Sequence, residues 1–480
     1  MKDKNLIVIL SDQFNPKVID FPGATPNLSA LSKRGVTFTN AYSNSPLCCP
    51  ARAALATGKY VHKIGSWDNA FPYNGSIPSW GHILRENGVR IDAVGKLHFR
   101  SEKDDNGFSR EHNTMHTVEG IGDVVGCLRD DTSIFDKRSG VLDAGIGTSS
   151  YVSYDWENTR FVADWITRKR NDETRWALFL GIALPHPPNK IPQKYFDRFR
   201  DKHLPFPPMW GEDERSTEPA IDYVRRFFGF DEPFTEEQVA NFLAAYYGAC
   251  AYVDELVGLV LDSLERSSLT EKTDVIFCSD HGETMGARGV FGKFSLYDES
   301  IKIPLICAGP SFPKGRVITN PVSLVDLYPT ILDLFAIEGS LERDGVDGIS
   351  LLKLAEEKGG IERCVFAEYH GPGSRSAEFM LRRGNHKFIY HAGGREQLFD
   401  LERDPDEADD LAGKGGHEKL LESFRAELFR MLDPESLDAE VKRQQKILVD
   451  RAGGAAMVKG RGTFDNTPIP GEDAVFFRRE

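Results

Sequence analysis

Leu6-Ile7-Val8-Ile9-Leu10 runs without a break into Ser11-Asp12-Gln13. The apolar run is too short for a helix, and consecutive rather than alternating apolar residues mark a parallel strand buried on both faces. The pattern recurs along the chain. Val89 to Val94 passes into Gly95-Lys96-Leu97-His98, Trp176 to Leu184 into Pro185-His186, and Val275 to Cys278 into Ser279-Asp280-His281. Helical stretches separate these runs. Thr25-Pro26 supplies an N-cap and N1 proline for a helix that Gly35 closes, and Thr235-Glu236-Glu237-Gln238 is a capping box opening a long amphipathic run through Leu264. Alternating strands and helices predict an α/β fold, a mostly parallel sheet with helices on both faces. Such sheets bind ligands beyond the carboxyl ends of their strands, where all four polar clusters fall.

Composition narrows the function. The 480 residues allow about two or three domains' worth of core. Fifty-nine basic against 73 acidic residues give a net charge of −14, which argues against nucleic acid or an anionic membrane as a partner. No stretch reaches the ~20 apolar residues of a membrane span. The first apolar run is too short for a signal peptide and no small-residue cleavage site follows it. Seven cysteines, sparse, odd in number and without metal-type spacing, predict neither a disulfide framework nor a zinc site, so a reducing cytoplasm is expected.

From Arg375 the texture changes. Phe379 to Arg383 and Lys387 to Tyr390 flank the turn signal Gly384-Asn385, and Gln397-Leu398-Phe399-Asp400-Leu401 follows Gly393-Gly394. This predicts an antiparallel meander covered by a helix bearing Leu420, Leu421, Phe424, Leu428 and Leu432. The expected division is a catalytic α/β domain over 1–374, an α+β subdomain over 375–435, and a C-terminal helix and tail over 436–480. The tail ends in Val475-Phe476-Phe477, apolar enough to dock on the parent domain or on a second subunit, and a homodimer or homotetramer is expected.

The segment Leu47-Cys48-Cys49-Pro50-Ala51-Arg52-Ala53-Ala54-Leu55-Ala56-Thr57-Gly58 carries the chemistry. Proline is acceptable in a first helical turn, alanines and leucine propagate the helix, and Gly58 is a natural stop, so the cysteines sit at a helix N-terminus that favours an anion. Cys-x-Pro-x-Arg followed by Leu-x-Thr-Gly resembles the modification motif of the type I sulfatases of the alkaline phosphatase superfamily. Further family elements follow in order: Asp12-Gln13, Gly95-Lys96-Leu97-His98, Pro185-His186-Pro187, Asp280-His281-Gly282, Lys293, and a closing Gln397 to Leu401 with Asp404-Pro405-Asp406-Glu407. Ala51 stands where serine is commoner, and the ligand set reads Asp, Gln, Asp, His where many members have Asp, Asp, Asp, Asn. That version resembles choline sulfatases and phosphonate monoester hydrolases.

The resemblance implies an alkaline phosphatase-like fold and a role for each residue. Cys48 is the residue oxidised to formylglycine by a maturation enzyme, its hydrated aldehyde serving as nucleophile. Asp12, Gln13, Asp280 and His281 hold a divalent metal, Ca²⁺ by preference, with Mg²⁺ or Mn²⁺ as alternatives that hard oxygens and an imidazole also suit. Arg52, one helical turn beyond Cys48, joins Lys96 and Lys293 in receiving the anionic ester. His186 protonates the leaving group, with Lys293 as helper, and His98 is the base that releases sulfate. Asn69 is read either as a turn residue or as a contact to the ester. Met209-Trp210 and the aromatic stretch Tyr223 to Phe230 are either core or a lid over the leaving group. Gly120 to Gly126 has the wrong spacing for a dinucleotide loop. The expected activity is hydrolysis of a small alkyl, aryl or sugar sulfate ester. A phosphonate monoester or phosphodiester hydrolase using the same site is the alternative, and an inactive metal-binding relative a third reading.

Overall fold

The computed structural model describes residues 4–131, 135–337, 345–356 and 362–477. The four apolar runs become the middle of an eight-stranded sheet. In chain order its strands are β1 (Asn5–Asp12), β2 (Gly35–Phe38), β3 (Arg90–Lys96), β4 (Arg110–Met115), β5 (Trp176–Pro185), β6 (Thr273–Ser279), β7 (Leu305–Ala308) and β8 (Arg316–Ile318). Side by side they run β8-β2-β7-β6-β1-β5-β3-β4. All neighbours are parallel except that β7 is antiparallel to β6 and β2. Every residue of β1 and β5 is buried, which is why their sequences do not alternate.

The two faces of β1 feed different cores. Ile7 and Ile9 pack with Leu178, Leu180 and Val275 under the helices that carry Val162, Ile166, Val253 and Val257. Leu6, Val8 and Leu10 pack with Ala177, Phe179 and Ile276 under helices bearing Ala53, Leu55, Ile331 and Leu332. At about 1.5–3 kcal/mol per fully buried aliphatic side chain, this double covering fixes the strand ends firmly.

The helices that matter are α1 (Pro26–Lys33), α2 (Cys48–Thr57), α3 (Ser150–Arg168), α4 (Glu236–Arg266), α5 (Glu418–Met431), α6 (Pro434–Arg451) and α7 (Ala455–Arg461). The capping box at Thr235 and Gln238 forms as expected. Gly35 does not close α1. It is the first residue of β2, where a Cβ would lie 2.1 Å from Cys307 O, so close strand pairing rather than a helix stop requires glycine there. Helix α4 is long and apolar enough to cross a membrane, but 89% of its apolar window is buried within the protein, as in a core helix.

The C-terminal meander is a four-stranded antiparallel sheet of β9 (Cys364–Tyr369), β10 (Glu378–Arg383), β11 (His386–His391) and β12 (Arg395–Asp400), with the turn at Gly384-Asn385. It begins upstream of residue 375, because Cys364–Tyr369 pairs along its full length with Glu378–Arg383. Phe388 and Leu398 pack with Leu421, Phe424 and Leu428 of α5. Val365, Met380 and Ile389 join the catalytic core. The tail lies on its own chain's catalytic domain, where Tyr151 Oη donates to Thr467 O at 2.6 Å and Lys137 pairs with Asp465 at 2.6 Å, and a backbone bridge between Thr463 and Phe477 closes the tail on itself.

Candidate active site

Parallel strands deliver their ends to one edge, and four arrive side by side. Asp12 ends β1, Lys96 ends β3, Pro185 ends β5, and Asp280 and His281 follow β6. Helix α2 begins at this edge with Cys48 in its first turn. Asp12, Cys48, Asp280 and His281 are all buried, and their ligand atoms lie within 4.8 Å of one another. His281 Nδ1 is 3.0 Å from Gly282 O, which only accepts, so the ring proton sits on Nδ1. The Nε2 lone pair then lies 3.8 Å from Asp12 Oδ1, 3.7 Å from Asp280 Oδ1 and 3.2 Å from Cys48 Sγ. The one thiol proton of Cys48 has Asp12 Oδ1 at 3.6 Å and His281 Nε2 at 3.2 Å to serve, so more acceptors face one another here than there are protons between them; a cation relieves that repulsion, and two carboxylates with an imidazole suit a divalent one. The residues present therefore fit a metal ion.

Gln13 adopts a left-handed φ of 67° where the chain turns out of β1. Its Oε1 accepts from Lys293 Nζ at 2.8 Å and its amide donates to Glu283. Lys293 Nζ is also 3.3 Å from Cys48 Sγ, so Gln13 borders the cluster through this lysine. Arg52 braces the two carboxylates, its Nε donating to Asp280 Oδ2 at 2.8 Å and Nη2 to Asp12 Oδ2 at 3.0 Å, while Nη1 reaches Lys96 O at 2.7 Å. Lys96 Nζ is 2.8 Å from Asp12 Oδ2. Burial alone would raise Asp12, but Lys96, His186, Arg52 and Lys293 together hold it well below the ordinary carboxylate range. Burial, reinforced by Asp12, pushes the Cys48 thiol up to about 11.

Both predicted imidazoles reach the same cavity, a cleft of about 430 Å³ bordered by Cys48, Asn69, His98, His186 and Lys293. His186 Nδ1 donates to Pro187 O at 2.9 Å, leaving Nε2 as its free nitrogen. Burial, then Lys293 and Lys96, lower its pKa well below the usual histidine value. His98, at φ 57°, places Nε2 2.7 Å from Thr467 Oγ1, and burial with Lys96 and Arg52 lowers it likewise. Asn69 Oδ1 accepts from Cys49 N at 3.0 Å, so its carboxamide caps the start of α2 from inside the cleft. The far wall is aromatic. Phe228 and Phe294 stack with centroids 4.0 Å apart, and Phe230, Phe291 and Phe464 continue the surface. Of the Tyr223 to Phe230 stretch, Phe227 packs into the core while Phe228 and Phe230 face the cleft; Trp210 packs against the core.

Several functional neighbours escaped the sequence reading. Glu283, pushed up to about 7 by burial, accepts from Gly292 N at 2.5 Å and Met285 N at 3.1 Å and orients the Gln13 amide. Its position three residues after Asp280 was the available signal. Asp155, also raised by burial to about 7, accepts from Ala183 N at 2.8 Å and Leu184 N at 2.9 Å, fixing the strand end that presents His186. Thr467 and Tyr151 had no local signal, since their contacts span hundreds of residues.

Comparison with known proteins gives the family and the fold. The family described as Sulfatase matches residues 4–337, and one described as N-sulphoglucosamine sulphohydrolase, C-terminal, matches residues 286–433. A choline-sulfatase of Rhizobium meliloti (strain 1021) is 33% identical over 468 residues, 92% of this chain and 89% of that one. Arylsulfatase K of Homo sapiens is 30% identical over 448 residues, 86% and 80% of the two chains. Among solved structures, a phosphonate monoester hydrolase from Silicibacter pomeroyi superposes with a TM-score of 0.68 over 99% of this chain and all 100% of its own, at 24% identity, a likeness of fold. With the family matched across the whole catalytic sheet and a relative one-third identical along nearly all of both chains, the protein belongs to the sulfatase family of enzymes, within the alkaline phosphatase-like superfamily.

Proposed function

We propose that the protein hydrolyses the sulfate ester of a compact, largely apolar alcohol or phenol to the free hydroxyl compound and inorganic sulfate. The observation that carries this reading is the convergence of Asp12, Cys48, Asp280 and His281 on one buried point that opens into an aromatic cleft flanked by two imidazoles. Asp12, Gln13, Asp280 and His281 would hold a divalent cation, Ca²⁺ by preference, which when bound supplies positive charge for an ester oxygen and lowers the pKa of a neighbouring hydroxyl. Oxidation of Cys48 to formylglycine by a maturation enzyme would supply a hydrated aldehyde, whose hydroxyl is a nucleophile that a protonated buried thiol is not.

The chain's own residues divide the remaining work. Lys293, which borders the cleft, neutralises the arriving anion, while Lys96, its ammonium on Asp12 behind the cleft wall, and Arg52 keep the carboxylates ionised and oriented. His186, its Nδ1 fixed on a carbonyl, would carry a proton on Nε2 to the departing oxygen once the anionic ester in the cleft offsets the burial and the Lys293 and Lys96 charges that lower its pKa. His98 would take the proton of the aldehyde-hydrate oxygen that does not carry sulfate, so that the carbonyl double bond forms again as the C–O bond to sulfate breaks. The Phe228–Phe294 stack gives an apolar alcohol or phenol its resting place, while Lys137 is neutralised by Asp465 at 2.6 Å and leaves this wall without a strong anion site.

A substrate panel on fully matured protein tests the reading. Aryl sulfate and choline sulfate should be turned over with kcat/KM at least about 10²-fold above phenyl phosphonate, a difference of about 2.7 kcal/mol in transition-state binding. Preference for the phosphonate would overturn it in favour of phosphorus esters. His186→Ala should lose about 10²-fold more on alkyl than on aryl sulfates, because phenolates depart without a proton. Equal losses on both would remove His186 from the acid role.

A further inference from the structure

The end of the chain enters the active site of the same molecule. Thr463 and Phe477 exchange backbone hydrogen bonds of 3.0 and 2.9 Å, closing a loop whose residues Phe464 to Thr467 border the cleft. Four of the five residues from Thr463 to Thr467 are tied down by polar contacts. Thr463 bonds the Asp123 carboxylate, and Asp465 pairs with Lys137 at 2.6 Å. The Asn466 carboxamide, oriented with its nitrogen toward Pro187 O, donates over 2.6 Å to the carbonyl that also receives His186 Nδ1. The buried Tyr151 hydroxyl donates to Thr467 O at 2.6 Å. This framework brings the buried Thr467 hydroxyl 2.7 Å from His98 Nε2, across 369 residues of sequence.

The two nitrogens of His98 are therefore inequivalent. Nε2 has a partner; Nδ1 is buried and has no hydrogen-bond partner among the described residues. A neutral imidazole carries one proton, and a base needs a bare lone pair. We propose that Thr467 is the positioning residue for His98: its hydroxyl accepts from Nε2–H and so holds the tautomer whose Nδ1 lone pair is free to take a proton. The proposal rests on His98 being the base of the sulfate-releasing step. It makes the C-terminal tail part of the catalytic apparatus of its own chain.

Thr467→Val removes the acceptor and keeps the shape, and the Tyr151 anchor survives because it uses the main-chain carbonyl. In matured, metal-loaded, full-length enzyme this variant should release alcohol in an initial burst, then release sulfate about 10- to 100-fold more slowly than wild type. Thr467→Ser should restore sulfate release to within about threefold, because it returns the hydroxyl. Independently of turnover, imidazole nitrogen chemical shifts of histidine-labelled protein carrying unmodified Cys48 should show His98 as the Nε2–H tautomer. Equal slowing of alcohol and sulfate release in Thr467→Val, failure of the serine variant to recover, or an Nδ1–H tautomer would each overturn the proposal. His98→Ala separates it from its premise: a burst there but none in Thr467→Val rejects only the positioning role, whereas no burst in His98→Ala rejects the base assignment and the positioning role together.

Discussion

Two clusters of buried charge lie in this chain, and they differ in what their atoms face. At the sheet edge, Arg52 and Lys96 bind Asp12 and Asp280 at 2.8 to 3.0 Å. Where the small sheet meets the catalytic domain, Lys387 Nζ lies 2.8 Å from Asp298 Oδ1 and 2.7 Å from Glu407 Oε1, and Arg288 Nη1 lies 2.9 Å from Glu299 Oε2. Burial opposes ionisation of Asp12 and Asp298 alike, and in both cases neighbouring cations outweigh it and hold the carboxyl well down. Perturbed ionisation therefore does not distinguish them. In the joint, Lys387 of β11 meets Asp298 and Glu407, and Arg288 meets Glu299, so each carboxylate has a cation beside it. At the sheet edge, a histidine lone pair, two carboxylates and a sulfur crowd together beside an open cleft. Excess acceptors with access mark a site; balanced pairs mark a seam.

The largest expected effect comes from breaking the first cluster. Cys48→Ala should lower kcat/KM by about 10⁴-fold or more, at least 5.4 kcal/mol of transition-state stabilisation, with little change in thermal unfolding. Asp280→Asn keeps the size of a side chain that also pairs with Arg52, and exhaustive chelation should reproduce its loss of turnover. Full activity after metal removal would erase the distinction between site and seam.

Lys387→Met tests the other side. Its ammonium is fully buried between Asp298 and Glu407, so removing it takes the nearest cation from Asp298 and from Glu407, the latter already raised by burial to about 7, and should cost about 3 kcal/mol of stability by denaturant unfolding. Activity per folded molecule should stay within about threefold of wild type, since this seam presents nothing to the cleft. A loss of turnover above about 10²-fold with unchanged stability would show that the seam reports to the active site.

The part of the molecule legible in sequence was the part whose burial is local. The four apolar runs named the four adjacent strands β6, β1, β5 and β3, and the residues just after them, Asp12, Lys96, His98, His186 and Asp280, gathered at one edge because parallel strands all end there. What stayed hidden depends on long-range pairing. Cys364–Tyr369 is another short apolar run, and nothing in it says that its partner is Glu378–Arg383 rather than the main sheet. Thr467 is one threonine in a polar tail; only the docked tail brings it to His98. Gly35 shows the same limit in miniature, since a glycine after a helix reads as a stop until the carbonyl of Cys307 is known to pass beside it.

The smallest expected effect separates seam from site by pH. His391 in β11 is buried, donates from Nε2 to Gln397 Oε1 at 3.1 Å, and has its pKa lowered from 6.5 to about 4, chiefly by burial. Above pH 6.5 this ring is neutral in folded and unfolded chains, and its contribution to stability is fully present. As pH falls from 6.5 toward 4 the unfolded chain takes up the proton first, so stability is lost through that window by at most about 3 kcal/mol. Glu378, with Oε1 3.9 Å from His391 Nδ1, is raised by burial to about 7 and pulls the other way, gaining stability as pH falls. The wild-type curve alone mixes the two. His391→Gln keeps a hydrogen-bonding side chain and removes one titration, so the stability difference between variant and wild type should be flat above pH 6.5 and shift in the variant's favour below it, with kcat/KM unchanged throughout. A difference that does not vary with pH would mean that the ring is not held neutral in the folded chain, and a change in kcat/KM would place this histidine on the catalytic side of the comparison.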